Sequence, residues 1–170
     1  MSASNQQDAI RFILDGRVHT VRGVDPNTTV LRYLREHLHR TGTKEGCAEG
    51  DCGACTVVLA ELDGDRIRWR SINSCIKFLP TLDGKELLTV ESLRAADGSL
   101  HPVQRAMVEC HGSQCGFCTP GFVVAAAHLF EVNPQPSSDE IKEALSGNIC
   151  RCTGYGAILR GLEALAEEAS

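Results

Sequence analysis

The chain lacks the features that mark membrane, exported and nucleic-acid-binding proteins. Its longest apolar stretch, residues 121–130, is about half the length that spans a bilayer and is interrupted by His128. Aromatic residues make up only 5% of the chain and the net charge is −5, so there is no stacking platform or basic stripe for nucleic acid. The first residues show no basic segment before an apolar run and no twin arginine. We therefore expect a cytoplasmic protein without membrane or nucleic-acid partners.

Sequence patterns for independent catalysis are missing as well. The 170 residues contain no glycine-rich dinucleotide fingerprint, no P-loop and no evident set of side chains that would activate a substrate. What the chain has instead is cysteine. Eight of its nine cysteines fall into two sets of four, spaced C-x4-C-x2-C…C and C-x2-C…C-x-C: Cys47, Cys52, Cys55 and Cys75 in the first set, and Cys115, Cys118, Cys150 and Cys152 in the second.

The first set matches the spacing of plant-type [2Fe–2S] ferredoxins, in which four thiolates hold the cluster. Gly46, Gly50 and Gly53 lie between or beside these cysteines. Glycine allows positive φ, so the loop can wrap closely and direct backbone N–H groups at sulfur. Such donors favour an anionic cluster. The sequence therefore predicts one [2Fe–2S] cluster at each four-cysteine set.

Other uses of cysteine agree less well with the spacing. A zinc ribbon requires two C-x2-C knuckles about 15–20 residues apart, whereas Cys150 and Cys152 are separated by a single residue. A disulfide framework is typical of small secreted domains and leaves no odd cysteine. A Rieske centre requires two histidine ligands, and no histidine stands two residues after a cysteine. A zinc- or disulfide-stabilised interaction module is the remaining alternative among binding proteins.

Hydrophobic periodicity divides the chain into two regions. In the first, Asp15-Gly16 and Asp63-Gly64 predict two hairpins, Leu87–Val90 predicts a further strand, and apolar residues from Val30 to Leu38 predict a helix. In the second, from about residue 92, the pattern predicts about four helices. The expected fold class is therefore α+β.

Local signals place the ends of these helices. Cys110 lies on the apolar face of a helix predicted over residues 101–111, so we interpret it as a small buried hydrophobic residue. Ser137 and Glu140 form a capping-box pattern, and Gly147 is expected to end the helix that follows them.

The second cysteine set is expected at helix starts. Thr119 directly follows Cys118, and Thr153 directly follows Cys152 with a helix starting near Gly154. Threonine is a good N-cap, so each cysteine pair would sit at the positive end of a helix. We hypothesise that these helix ends and Arg151 offset cluster charge, the alternative being simple caps and a solvated arginine.

Charged side chains near the first cysteine set would oppose reduction of its cluster, in contrast to the helix ends and Arg151 at the second set. The acidic residues Glu45, Glu49 and Asp51 surround the first set and would disfavour reduction of the cluster, unless they are only a solvated loop face.

The strings GTKEGCAEGDCGACT, HGSQCGFCTPGF and GNICRCTGY resemble the iron–sulfur subunit or domain of molybdenum hydroxylases, most closely the xanthine dehydrogenase branch. The resemblance covers nearly the whole chain. It implies a β-grasp ferredoxin-like [2Fe–2S] domain over residues 1–90 and a four-helix-bundle [2Fe–2S]-binding domain over residues 91–170. It also implies the eight cysteines named above as cluster ligands. Gln114 matches a family glutamine that hydrogen-bonds the pterin, although an ordinary surface amide is the alternative.

The implied function is electron transfer without catalysis by this chain. Electrons would pass one at a time from a molybdopterin centre, through the helical cluster and then the ferredoxin-like cluster, to FAD and on to NAD or another acceptor. The partners would be a molybdopterin-binding large subunit and a FAD-binding subunit or domain. We expect a separate small subunit, although a truncated longer chain would look the same. The alternatives are an enzyme for N-heterocycles, aldehydes or carbon monoxide instead of purines, and a free-standing two-cluster ferredoxin.

Overall fold

The computed structural model describes residues 9–168 and shows an α+β protein. Its N-terminal part is a five-stranded mixed sheet with the order β2-β1-β5-β3-β4, in which β1 and β5 are parallel and the other neighbours are antiparallel. The strands are β1 (Ala9–Leu14), β2 (Arg17–Arg22), β3 (Thr56–Asp63), β4 (Arg66–Asn73) and β5 (Glu86–Leu88). The long strand β3, which pairs with β5 on one side and β4 on the other, is buried along most of its length.

The two predicted hairpins are present. Asp15 and Gly16 have φ values of 53° and 69°, the left-handed pair of a type I′ turn, and they join β1 to β2. Gly64, with φ of 61°, follows β3 at the turn into β4. The strand predicted over residues 87–90 is β5, although Val90 already belongs to a short 3₁₀ turn.

The first helix differs from a regular α-helix. It begins as α1 (Val30–Arg32), capped by the Thr29 hydroxyl, and continues as a π-helical turn (Tyr33–His37). The turn widens because the N–H of Leu38 donates to the carbonyl of Tyr33, five residues earlier. Val30 and Leu34 are fully buried against the sheet, as their spacing predicts.

Four further α-helices follow within the described residues: α2 (Pro102–Glu109), α3 (Thr119–Val132), α4 (Ser138–Ala144) and α5 (Gly156–Glu168). Helix α2 contacts α3 and α5, and α4 contacts the same two helices. Their shared core includes Met107, Phe122, Ile141 and Leu162, all buried. Helix α3 also packs on β3 and β4, so the helical part rests directly on the sheet.

Several predicted helix ends lie elsewhere. Thr119 is the first residue of α3 rather than its N-cap, and its hydroxyl hydrogen-bonds that of Ser113 at 2.8 Å. Helix α5 begins at Gly156, two residues after Gly154, because Gly154 and Tyr155 both have positive φ.

The signals around α4 and Cys110 give a mixed result. The capping box of Ser137 and Glu140 is confirmed, but α4 ends at Ala144, before Gly147. Cys110 follows α2 as its C-cap and is half-buried beside Gly161 of α5. It is therefore less buried than its periodicity predicts. No helix among the described residues is both long and apolar enough to cross a membrane.

Candidate metal centres

The first cysteine set gathers around the loop that enters β3. Cys47 and Cys52 lie in this loop, Cys55 directly precedes β3, and Cys75 lies in the turn after β4. Ser74, fully buried, joins the two ends because its N–H and hydroxyl both donate to the carbonyl of Cys55, at 3.3 and 2.7 Å. Antiparallel pairing of β3 with β4 thus brings cysteines that are distant in sequence to one place.

Backbone donors converge on the sulfur of Cys47. The N–H groups of Glu49, Asp51 and Cys52 lie 3.5, 3.3 and 3.4 Å from Cys47 Sγ. The loop reaches this shape because Ala48 and Gly50 have positive φ, 60° and 86°. These hydrogen bonds lower the pKa of Cys47 to about 7, so its thiolate is favoured before any metal is present. The expected wrapping of the loop is confirmed, with an alanine sharing the role assigned to glycine.

Two thiols of the first set are more deeply buried than Cys47 and Cys52. Cys55 and Cys75 are buried together beneath Leu31. Burial raises the pKa of Cys75 to about 12, and contact with the Cys55 thiol adds to the effect. A buried thiol with a second thiol beside it, as at Cys75, resists ionisation unless a cation takes up the charge. The chemistry of this pair therefore suits a bound metal better than a free thiolate.

The second cysteine set joins two loops of the helical part. Cys115 and Cys118 precede α3, while Cys150 and Cys152 lie between α4 and α5. The sulfur atoms of Cys115 and Cys152 are 3.5 Å apart, and the thiols of Cys118 and Cys150 contact each other. Each set thus consists of two pairs. We call Cys55/Cys75 and Cys118/Cys150 the inner pairs, and Cys47/Cys52 and Cys115/Cys152 the outer pairs.

As in the first set, the second set contains one cysteine with a raised pKa and one with a lowered pKa. Burial raises the pKa of Cys118 to about 12. Burial also disfavours the thiolate of Cys150, but the Thr153 hydroxyl and N–H, at 3.1 and 3.5 Å, lower its pKa to about 7. In the exposed outer pair, the Phe117 N–H lowers the pKa of Cys115, and contact with Cys115 raises the pKa of Cys152.

Paired thiols, rather than a converging group, are the arrangement that the chain offers. Between residues 9 and 168, no three or more His, Cys, Asp or Glu side chains are grouped so that they could hold one metal ion. A [2Fe–2S] cluster distributes four thiolates over two irons, so two pairs of thiols fit its requirement. None of the nine cysteines forms a disulfide bond.

The predicted charge effects are met only in part. Cys118 lies directly at the N-terminus of α3, but Cys152 is separated from α5 by a turn, so only one helix end reaches the second set. Arg151 is exposed, and the side chains of Glu45, Glu49 and Asp51 are exposed too. Glu49 and Asp51 act on the first set through their backbone N–H groups.

Sequence spacing did not single out several residues that shape the sites. Tyr155 accepts a hydrogen bond at its hydroxyl from the Cys150 N–H at 3.0 Å, and Asn73 donates to the carbonyl of Gly50 at 2.6 Å. Asn148, in the GNICRCTGY string, is buried between the two cysteine sets. Tyr155 and Asn148 belong to a string that was recognised as a motif, but nothing in it indicates these contacts. Gln114 is exposed next to Cys115.

Comparisons with known protein families identify the class of protein to which the chain belongs. Residues 12–78 match a 2Fe-2S iron-sulfur cluster binding domain, and residues 89–163 match a [2Fe-2S] binding domain. The chain is therefore a protein with two [2Fe–2S]-binding domains.

Individual relatives define the family more closely. A crystal structure of quinoline 2-oxidoreductase from Pseudomonas putida 86 is 37% identical with a TM-score of 0.80, over 95% of this chain and 94% of that chain. Xanthine dehydrogenase of Drosophila pseudoobscura pseudoobscura is 42% identical over 99% of this chain, and human aldehyde oxidase is 44% identical over 87%. The chain belongs to the iron–sulfur subunits and domains of the molybdenum hydroxylases. It spans only 13% and 11% of those two longer relatives.

Proposed function

We propose that this chain is the electron-transfer subunit of a molybdenum hydroxylase of xanthine dehydrogenase type and has no catalytic residues of its own. The observation that carries the proposal is the arrangement of eight cysteine side chains as two sets of two pairs. Each set would hold one [2Fe–2S] cluster, with one pair of thiolates at each iron. Such a cluster supplies a site that takes up and releases one electron.

The surrounding residues would tune this chemistry. Three backbone N–H groups at Cys47 and the Thr153 donors at Cys150 stabilise negative charge on sulfur. Hydrogen bonds to ligand sulfur and exclusion of water are the means by which a protein adjusts a reduction potential. The inner pairs are the more buried and the outer pairs the more accessible, so each cluster would have one sheltered side and one side toward the surface.

Two domains would carry the two clusters. We propose a β-grasp ferredoxin-like domain over residues 1–90 and a four-helix bundle over residues 91–170. The mixed sheet with one helix across it supports the first, and the mutual contacts of α2, α3, α4 and α5 support the second. The two family matches, ending at residue 78 and beginning at residue 89, support a boundary between them.

The exposed outer pair of the second set supports a partner at that surface. An open groove of about 420 Å³ runs beside it, lined by Leu100, Val108 and Gly116 among others, and the side chains of Leu100 and Val108 are largely exposed. We propose that the molybdopterin-binding chain covers this surface, with Gln114 as a donor or acceptor for the pterin. A FAD-binding chain or domain would lie nearer the first set. Electrons would then pass singly from the molybdopterin centre to FAD.

The proposed substrate of the assembled enzyme is based on the names of the matched relatives. The matched relatives are named for xanthine, aldehydes and quinoline. We propose a role in purine oxidation in the cytoplasm, on the strength of the match to xanthine dehydrogenase over nearly the whole chain. An aldehyde or N-heterocycle substrate is the alternative that the other relatives favour.

Metal analysis with EPR spectroscopy tests the central proposal. The purified chain is expected to hold two irons and two acid-labile sulfides for each cysteine set, and dithionite reduction should give two distinguishable signals. Zinc in place of iron, or a single signal, would refute the assignment of at least one set. Co-elution from native extract with larger chains containing molybdenum and flavin tests the proposed partners, and elution as an isolated small protein would contradict them.

A further inference from the structure

The two cysteine sets are connected by a direct backbone hydrogen bond. The N–H of Ile149 donates to the carbonyl of Cys52 at 3.0 Å. Cys52 belongs to the first set, and Ile149 directly precedes Cys150 of the second. A continuous path of covalent bonds, crossed by this one hydrogen bond, therefore joins a sulfur of one set to a sulfur of the other.

The side chain of Asn148 forms hydrogen bonds next to this contact. It is only 6% exposed, and its Nδ2 atom donates to the carbonyl of Gly53 at 2.9 Å and to Thr56 Oγ1 at 3.3 Å. Its own N–H donates to the carbonyl of Leu145 at the end of α4. The side chain thus links the first cysteine loop to the helical part. Its two hydrogen bonds offset the cost of burying the amide.

Two glycines allow this close approach. A Cβ atom at Gly53 would lie 2.3 Å from the carbonyl oxygen of Gly147 and 2.5 Å from Asn148 Nδ2. A Cβ atom at Gly121, in the first turn of α3, would lie 2.2 Å from the carbonyl oxygen of Gly53. The backbone at Gly53 therefore meets the backbones of Gly147 and of the first turn of α3 directly, with the Asn148 side chain beside the contact.

We propose that Asn148 is a positioning residue, which fixes the separation of the two clusters and keeps the hydrogen bond from Ile149 to Cys52 in place as the link between them. The inference rests on the proposed function. Each transfer moves one electron, so one cluster is oxidised as the other is reduced, and no proton or co-reactant is required. The amide itself carries no charge and contacts no sulfur, so its effect acts through the position of the two loops.

The first experiment compares Asn148→Ala and Asn148→Asp with wild type in the full chain with both clusters. The matched control is Asn73→Ala, which removes a similar side-chain donor to the first loop, at Gly50, but leaves the junction intact. EPR spectra are recorded after partial and full reduction by dithionite. Spin–spin splitting that appears only when both clusters are reduced reports their mutual distance and orientation.

We expect the splitting to be resolved in wild type and in Asn73→Ala, and to be lost or smeared in both Asn148 variants while the signals of the individual clusters remain. Unchanged splitting in a fully loaded Asn148→Ala protein would overturn the inference. Wild-type protein without iron would instead overturn the proposed function, so the two failures are distinguishable.

Hydrogen exchange supplies a second readout that does not depend on electron transfer. The Ile149 N–H should be protected in wild type and should exchange about tenfold faster in Asn148→Ala, the effect of losing about one net hydrogen bond. If neither variant keeps both clusters, wild type alone decides. A protected Ile149 N–H supports the junction, and exchange as fast as in an exposed amide refutes it.

Discussion

Replacement of Gly53 by alanine offers a quantitative test of the contact between the cysteine loops. Gly53 has φ of +71°, and its added methyl group would lie 2.3 Å from a backbone oxygen that cannot move aside as a side chain would. The left-handed conformation alone should cost an alanine about 1–2 kcal/mol. Overpacking typically adds about 1–3 kcal/mol. The expected loss of stability is therefore about 2–5 kcal/mol.

Gly64→Ala is the matched control, because Gly64 has a similar φ of +61° but nothing within 4 Å of an added Cβ. Anaerobic urea unfolding of the cluster-loaded chain, followed by circular dichroism, measures both variants. Gly64→Ala should show only the conformational cost of about 1–2 kcal/mol. If Gly53→Ala is no less stable than Gly64→Ala, the steric argument for a close junction is wrong.

Three further substitutions probe other parts of the structure. Ser74→Ala removes the hydroxyl hydrogen bond to the Cys55 carbonyl and leaves only the bond from the backbone N–H. Stability should therefore fall by about 1 kcal/mol, and a chelator should extract iron faster from the first set only. Cys115→Ser should abolish one EPR signal, whereas Cys110→Ser should leave both intact. Burial lowers the pKa of His128, so its contribution makes the free energy of unfolding fall as pH drops below about 6.5, and His128→Gln should flatten that dependence.

Each of these predictions has a contrary outcome. Equal extraction of iron from both sets in Ser74→Ala would remove the specific role of that serine. Loss of an EPR signal in Cys110→Ser would show that the ninth cysteine is a ligand. An unchanged pH dependence in His128→Gln would mean that the imidazole is not held neutral by its burial between α3 and the sheet.

Local sequence signals predicted much of the fold. Asp-Gly turns, a capping box and apolar spacing located both hairpins and the helices, because each depends on conformational preferences of a few neighbouring residues. The wrapping of the first loop followed from the glycines around Cys47. The pairing of thiols within each set could not be predicted, because it depends on how β3, β4 and the helices pack.

The wrongly placed helix starts and the missed role of Asn148 have a common physical origin. Thr119 and Thr153 carry typical helix-start signals, yet the backbone near both is shaped by cysteine loops that turn sharply before the helix begins. Asn148 had no signal at all, because its partners, Gly53 and Thr56, lie more than 90 residues earlier in the chain. Propensity rules describe neighbours in sequence, and these contacts are set by neighbours in space.

The bond from Asn148 to Gly53 also has a consequence for the order in which the chain can mature. It spans 95 residues, so it closes one of the longest loops in the protein, and such contacts form late because much chain entropy must be lost first. During synthesis the N-terminal part with the sheet emerges before the helical part. Its first cysteine loop can acquire its local N–H to sulfur bonds at once, but the carbonyls of Cys52 and Gly53 must wait for residues 148–149. The final conformation of the first cysteine set is thereby coupled to the folding of the second.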